Sequence, residues 1–288
     1  MADFVSAGTL TLPSPLPVQP EAWGHSFTTA IAGVPVVLAL PKAQPPDGPG
    51  TVRPSAIRQV DLLWPASVRA PSESELRDFD RAVSHWYRCV LAWVCAWTGL
   101  APPTDRSVDV NLQLFDQAGA LLKRDQGQFL FYGFPNELGA TRDQLEAALR
   151  LGADLTPLPT EYALLVDAQG AFGDFRNRVC VISAAGAAEV ALVRRFEDTL
   201  ANSYGLPEAF VGWVETRARG LAALDQACRN LEVETGAPKR DVELLARARN
   251  RAAHAGSEVD REETTKLLQT AQLVVRTLRP LQLTANQG

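Results

Sequence analysis

Long apolar runs are missing from this 288-residue chain. Its most apolar window, VLAWVCAW at 90–97, is too short to cross a bilayer and follows a charged segment, so no membrane span is expected. The first residues carry no basic stretch leading into an apolar one, so no secretion leader is expected and the protein reads as cytoplasmic. Cysteine and histidine are scarce. Cys89, Cys95, Cys180 and Cys228 form no C-x-x-C, and the three histidines are never paired, which excludes the usual zinc patterns and leaves no metal or other cofactor to expect. The thiols sit in apolar helical patterns and read as reduced core residues. Lysine is nearly absent, at four against 24 arginines, and the net charge is −5, so no global basic field points to nucleic acid or an anionic membrane. What remains is an ordinary globular composition, 46% hydrophobic and 21% charged, in a length that suits one large domain or two ordinary ones.

The texture changes along the chain. In 1–70, TLTL, FTTAIAGVPVVLAL and QVDLLW favour strands, with a Pro/Gly loop, PKAQPPDGPGTVRP, between the last two. A helix is predicted over 72–100, with Ser72 and Glu75 as a capping box and Gly99 as its stop. Its stripe of Phe79, Val83, Trp86, Val90, Trp93 and Trp97 reads as core packed on a sheet rather than as a base-stacking platform. Residues 107–134 alternate like a β-meander, and RDQLEAALRLG is a short helix ending at Gly152. LTPLP at 155–159 marks a domain boundary. Beyond it come five helical segments, near 160–171, 175–203, 208–235, 239–254 and 260–281, joined by GAFGD, YGLPE, TGAPKRD and AGSEVD. The expected fold is therefore a strand-rich α+β domain over 1–157, with one buried Trp-rich helix, followed by an all-α helical bundle over 158–288.

Three of these helices set a charge among apolar positions. On 175–203 the stripe is Val179, Ile182, Ala185, Glu189, Leu192, Phe196, Leu200. On 239–254 it is Val242, Leu245, Ala246, Arg249, Ala252, Ala253, and on 208–235 Arg217 follows Phe210, Trp213 and Val214. A buried unpaired charge costs several kcal/mol. Glu189 is therefore expected to partner Arg249, Arg217 or both, either as a structural ion pair or as a pair that orients Arg249 towards a substrate. Arg247 and Arg251 lie on the other side of their helix.

The stretch ARARNRAAHAG, 246–256, carries more than this charge. Arg249-Asn250-Arg251-Ala252-Ala253-His254 is an arginine, a polar residue, three more residues and a histidine, late in the penultimate helix and just before Gly256. With PTEYALLVDAQGAFGD and AAEVALVRRFEDTL upstream, this pattern resembles the HEPN superfamily (higher eukaryotes and prokaryotes nucleotide-binding) over about 158–282. It is similar to bacterial proteins with an Apea-like HEPN module behind an unrelated N-terminal domain. Arg247 satisfies the longer arginine-to-histidine spacing of the same motif, so two arginines are candidates.

The resemblance implies a metal-independent endoribonuclease acting as a homodimer, with Arg249, Asn250 and His254 catalytic, Glu189 and Arg217 supporting, and Arg247 and Arg251 on the RNA. The chemistry suits these residue types. Imidazole can take the proton of a 2′-hydroxyl or give one to the leaving 5′-oxygen, and guanidinium stabilises charge growing on phosphorus. Asn250 would hold the phosphate or fix the imidazole tautomer, and the product would be a 2′,3′-cyclic phosphate. Some HEPN toxins carry a modifiable Tyr two residues after the histidine; Gly256 stands there in this chain. On an ideal helix Arg249 and His254 point about 140° apart, so a shared target requires the helix to end before His254 or a second protomer to contribute. His254 alone also reads as a C-terminal dipole contact. The family analogy extends to antiphage defence or a toxin-like role, with the strand-rich half sensing or recruiting a ligand. Two other functions fit the residues: a non-catalytic HEPN adaptor binding RNA, nucleotide or protein, and a purely structural helical interaction domain.

Overall fold

The computed structural model describes residues 4–40, 56–65, 73–101, 111–115, 121–123, 139–207, 211–212, 220–254 and 259–283. The fold is α+β, an antiparallel sheet with two helices and then a helical C-terminal region. It divides into two compact units. One comprises Met1–Thr98, Asp105–Pro157 and Leu283–Gly288, the other Gly99–Thr104 and Leu158–Gln282.

In the first unit, β1 (Phe4–Pro17), β2 (Ser26–Ile31), β3 (Val34–Ala39), β4 (Ala56–Pro65), β5 (Asn111–Phe115) and β6 (Leu121–Lys123) form a sheet of order β2-β3-β4-β1-β5-β6. Every pairing in it is antiparallel. β2 and β3 make a hairpin whose two-residue turn, Ala32-Gly33, has both φ angles positive (51° and 77°), the twist that antiparallel strands prefer. Phe27, Thr29 and Ile31 alternate inward along β2, as period-two packing requires.

Two helices cover this hairpin: α1 (Glu73–Thr98) and α2 (Arg142–Ala153), which pack on each other and on β2. Val83, Trp86, Val90, Trp93 and Val94 of α1 are almost wholly buried, so Trp86 and Trp93 are core residues, whereas Trp97 near the helix end is half-buried. The Trp93 indole N–H and the Cys89 thiol both donate to the Thr156 carbonyl. α2 opens on a capping box, Thr141 with Gln144. Gly152 proves to lie inside α2 rather than at its stop. A Cβ there would sit 2.5 Å from a methyl of Val90, so its bare backbone lets the two helices approach.

The second unit includes, among the described residues, α3 (Thr160–Gly173), α4 (Asn177–Asn202), α5 (Leu221–Asn230), α6 (Lys239–His254) and α7 (Arg261–Leu278). α4 is its axis and packs against each of these four other helices. Ala184, Ala185, Ala187, Ala188 and Ala191 are all buried on it, and such short side chains allow close helix approach.

Several boundaries differ from the sequence expectation, each for a local reason. The segment expected as one helix over 208–235 is interrupted at Gly220, whose φ is 90°, and α5 stops at Asn230 because Glu232 turns left-handed (φ 60°). α4 starts at Asn177, since Phe175 is itself left-handed. α7 ends at Leu278, because Arg279 precedes Pro280 and leaves the helical region. The Pro/Gly loop 41–54, Ser72, the turns of the expected meander and the last five residues lie outside the described residues. Among the described residues, no helix is long and apolar enough to cross a membrane.

Two measurements check this packing. Gly152→Ala should lower stability by about 1–2 kcal/mol in urea unfolding, because crowding the fixed Val90 outweighs the helical gain of alanine. The buried thiols set a pH limit. Burial pushes Cys95 and Cys180 up to about 12 and Cys228 to about 11, so the fold keeps them protonated where an unfolded chain would release their protons. Their contribution is intact below the ordinary thiol range and fades as pH climbs towards those raised values. The unfolding midpoint should therefore fall between about pH 8 and about pH 10.5, less steeply in Cys180→Ala.

Candidate functional site

The buried line of α6 runs Val242, Leu245, Ala248, Ala252, at spacings of three, three and four. This corrects the expected stripe through Ala246 and Arg249. Ala248 is the residue that meets the bundle. Arg249 lies a further 100° or so round the helix, and its long side chain reaches solvent. Arg240, Arg247, Arg249, Asn250, Arg251 and His254 are all exposed, so α6 carries its polar groups outward. Arg249 donates from Nη1 to the side-chain oxygen of Asn250 at 3.2 Å, and Arg251 pairs with Glu263 of α7 at 2.5 Å.

α6 stays helical through His254. The expected unwinding at Ala255-Gly256 falls outside the described residues. Arg249 and His254 therefore diverge by about 140° around one continuous helix. Arg247, seven residues before His254, is only about 20° away from it in the same projection and about 10 Å along the axis, with Arg251 on the same side. Along α6, the guanidiniums on the same side as the imidazole are those of Arg247 and Arg251.

Glu189 is half-buried and makes no hydrogen bond or ion pair among the described residues. Its expected pairing with Arg249 is not formed, since that guanidinium is exposed and turned to Asn250. Arg217, the other expected partner, lies outside the described residues.

The buried charge of the bundle is Glu161, with 1% of its side chain exposed in the first turn of α3. Arg194 of α4 donates to it at 2.7 Å and also reaches the Thr160 hydroxyl. Arg279, just past α7, lies 3.5 Å from its other oxygen and pairs with Asp198 at 2.7 Å. The Tyr162 hydroxyl closes the network by donating to the Arg279 carbonyl. A second buried carboxylate, Asp225, accepts from Arg229 at 2.8 Å, whose guanidinium also holds Thr235 and the Ala237 carbonyl, fixing the turn into α6. Neither carboxylate was singled out from the sequence. The available signal was Glu161 directly after Pro159-Thr160, a helix start where an acid is ordinarily solvated but where burial recruits arginines.

One end of α6 is also tied to its neighbours. Arg178 donates from Nε to the Ala252 carbonyl at 2.7 Å, and Asn177 to the Val259 carbonyl at 3.0 Å. Among the described residues, no group of His, Cys, Asp or Glu is placed to hold a metal ion.

Comparison with protein-family models, with curated proteins and with solved structures gives no match to this chain.

The Glu161 network carries a direct test. Removing the carboxylate by Glu161→Ala should cost about 2–4 kcal/mol, short of the full buried-pair penalty because Arg194 and Arg279 keep 39% and 34% of their side chains in solvent. A double-mutant cycle with Arg194→Met in urea should return a coupling of about 1 kcal/mol or more. Additive single effects would show that the pair does not bind the helices together.

Proposed function

We propose that the protein is a HEPN-type, metal-independent endoribonuclease that works as a homodimer, with each site shared between two protomers. The observation that carries this reading is the continuous helix through His254 with Arg247, Arg249, Asn250, Arg251 and His254 all facing solvent. A single chain cannot aim Arg249 and His254 at one phosphate. A twin related by a two-fold axis can, because its outward α6 would bring Arg249 opposite the first chain's His254. In that arrangement His254 exchanges the proton of the 2′-hydroxyl or the leaving 5′-oxygen. Arg249 of the twin stabilises the charge on phosphorus, Asn250 orients it, and Arg247 and Arg251 hold the flanking strand. A role in antiphage defence or as a toxin-like factor belongs to the same reading by analogy alone.

A second reading is a non-catalytic adaptor of the same class that binds RNA, a nucleotide or a protein. The Arg249–Asn250 hydrogen bond and the Arg251–Glu263 pair favour it, since both turn motif side chains onto partners within the chain. The purely structural reading drew on a staple between Glu189 and Arg249, and that staple is not formed.

The test is RNA cleavage in EDTA. Wild type should cut, and His254→Ala and Arg249→Ala should each lose at least a hundredfold in rate with the fold and dimer intact. Mixing the two inactive variants should then restore roughly a quarter of wild-type activity, because half the dimers are mixed and each of those rebuilds one of its two sites. Cleavage that survives His254→Ala removes the nuclease reading. Binding without cleavage establishes the adaptor.

A further inference from the structure

The turn between α3 and α4 holds a bulky side chain where a glycine is ordinary. Phe175 has φ 60°, and its neighbours make the backbone bonds of a helix-ending turn: Phe175 N–H to the Phe172 carbonyl and Arg176 N–H to the Ala171 carbonyl. Left-handed backbone is uncommon for any residue with a Cβ and an outlier for a large one. The ring gains no burial in return, for Phe175 is 78% exposed, the most exposed large apolar residue described. It is nevertheless held in place. The Arg261 guanidinium lies over the Phe172 ring at 3.3 Å and over the Phe175 ring at 4.6 Å, and it donates to the Phe172 carbonyl.

Among the described residues, the charge around this ring has one sign left over. The described acids at this end are engaged: Asp174 by Arg176, Glu263 by Arg251, Glu262 by Lys266, and Asp260 as the cap of α7. Arg178, Arg249 and Arg261 have no carboxylate partner among the described residues. Arg178 touches the last turn of α6 through the Ala252 carbonyl, one turn from Arg249. A ligand that fits must offer a flat aromatic face beside negative charge, which is the chemistry of a single-stranded polynucleotide.

We propose that Phe175, backed by Arg261, is a stacking platform for a nucleobase of single-stranded RNA, with Arg178 and Arg249 on the adjoining phosphates. The proposal rests on the reading of α6 as an RNA-facing helix and adds the site that grips the strand beside it.

The experiment is fluorescence anisotropy of a short fluorescein-labelled single-stranded oligoribonucleotide in EDTA, with thermal unfolding of each variant. Phe175→Leu, which keeps the bulk and loses the ring, should bind roughly 5- to 100-fold more weakly, and Phe175→Trp at least as tightly as wild type. Phe175→Gly should bind as weakly as the leucine variant and melt no lower than wild type, because glycine relieves the left-handed backbone. Leu155→Gly, at a left-handed turn elsewhere (φ 50°), should leave binding unchanged. Wild-type affinity in Phe175→Leu overturns the platform, and so does a loss of dimer in sedimentation, which would place a second copy on the ring. His254→Ala should bind normally and not cut, so failure of the nuclease reading leaves these arms legible. Absence of any RNA binding by wild type removes both.

Discussion

The second unit depends on one carboxylate kept out of water. Glu161 is buried in the first turn of α3, where the N-terminal dipole favours a negative charge, and two guanidiniums from different elements converge on it. Arg194 brings α4, and Arg279 brings the chain just past α7, itself tied to Asp198. Helix packing alone would allow these three elements to slide along one another, since rows of alanine offer little register. The network fixes their register at one end of the bundle. At the other end, Arg178 and Asn177 hold α6 and the start of α7 through backbone carbonyls. The outward face of α6 is thus presented by a frame braced at both ends, which is the preorganisation that a charged surface needs if it is to recognise anything.

How much of this was legible in the sequence depends on which kind of signal each part uses. The strand character of FTTAIAGVPVVLAL and the long helix α1 follow from residue type and period, because burial on one face of a helix leaves a trace every three to four residues, whereas the turn that folds this run into the β2–β3 hairpin was not marked. Trp86 and Val90 are core for that reason. Chain reversals driven by a single unusual φ were less legible. Glu232 takes a conformation usually left to glycine, so the segment around it read as continuous helix, and Phe175 does the same just past the expected joint GAFGD, so α4 starts two residues later than expected. Gly220 and Pro280 were visible, but nothing in the pattern said that each would end a helix rather than bend it.

The candidate site divides in the same way. The position of the arginine, asparagine and histidine late in α6 was evident, whereas their orientation was not. The expected stripe passed through Arg249, but Ala248 makes the contact, a shift of one residue that moves a charge from core to solvent. Glu189 was singled out because it interrupts apolar neighbours, yet α4 is buried over so much of its circumference that a half-exposed seam remains for it. Glu161 was missed for the converse reason. Its neighbours in sequence are those of an ordinary helix start, and its burial is created by Arg194 and Arg279, distant in the chain.

The alanines of α4 have a consequence for which substitutions the bundle accepts. Their five methyl groups let the neighbouring helices lie close against this stretch of α4. A larger side chain at any of these positions would wedge a neighbour outwards, whereas Leu192 and Phe196 further along the same helix could be exchanged for side chains of similar volume. The stretch from Ala184 to Ala191 is therefore where α4 has the least freedom to vary.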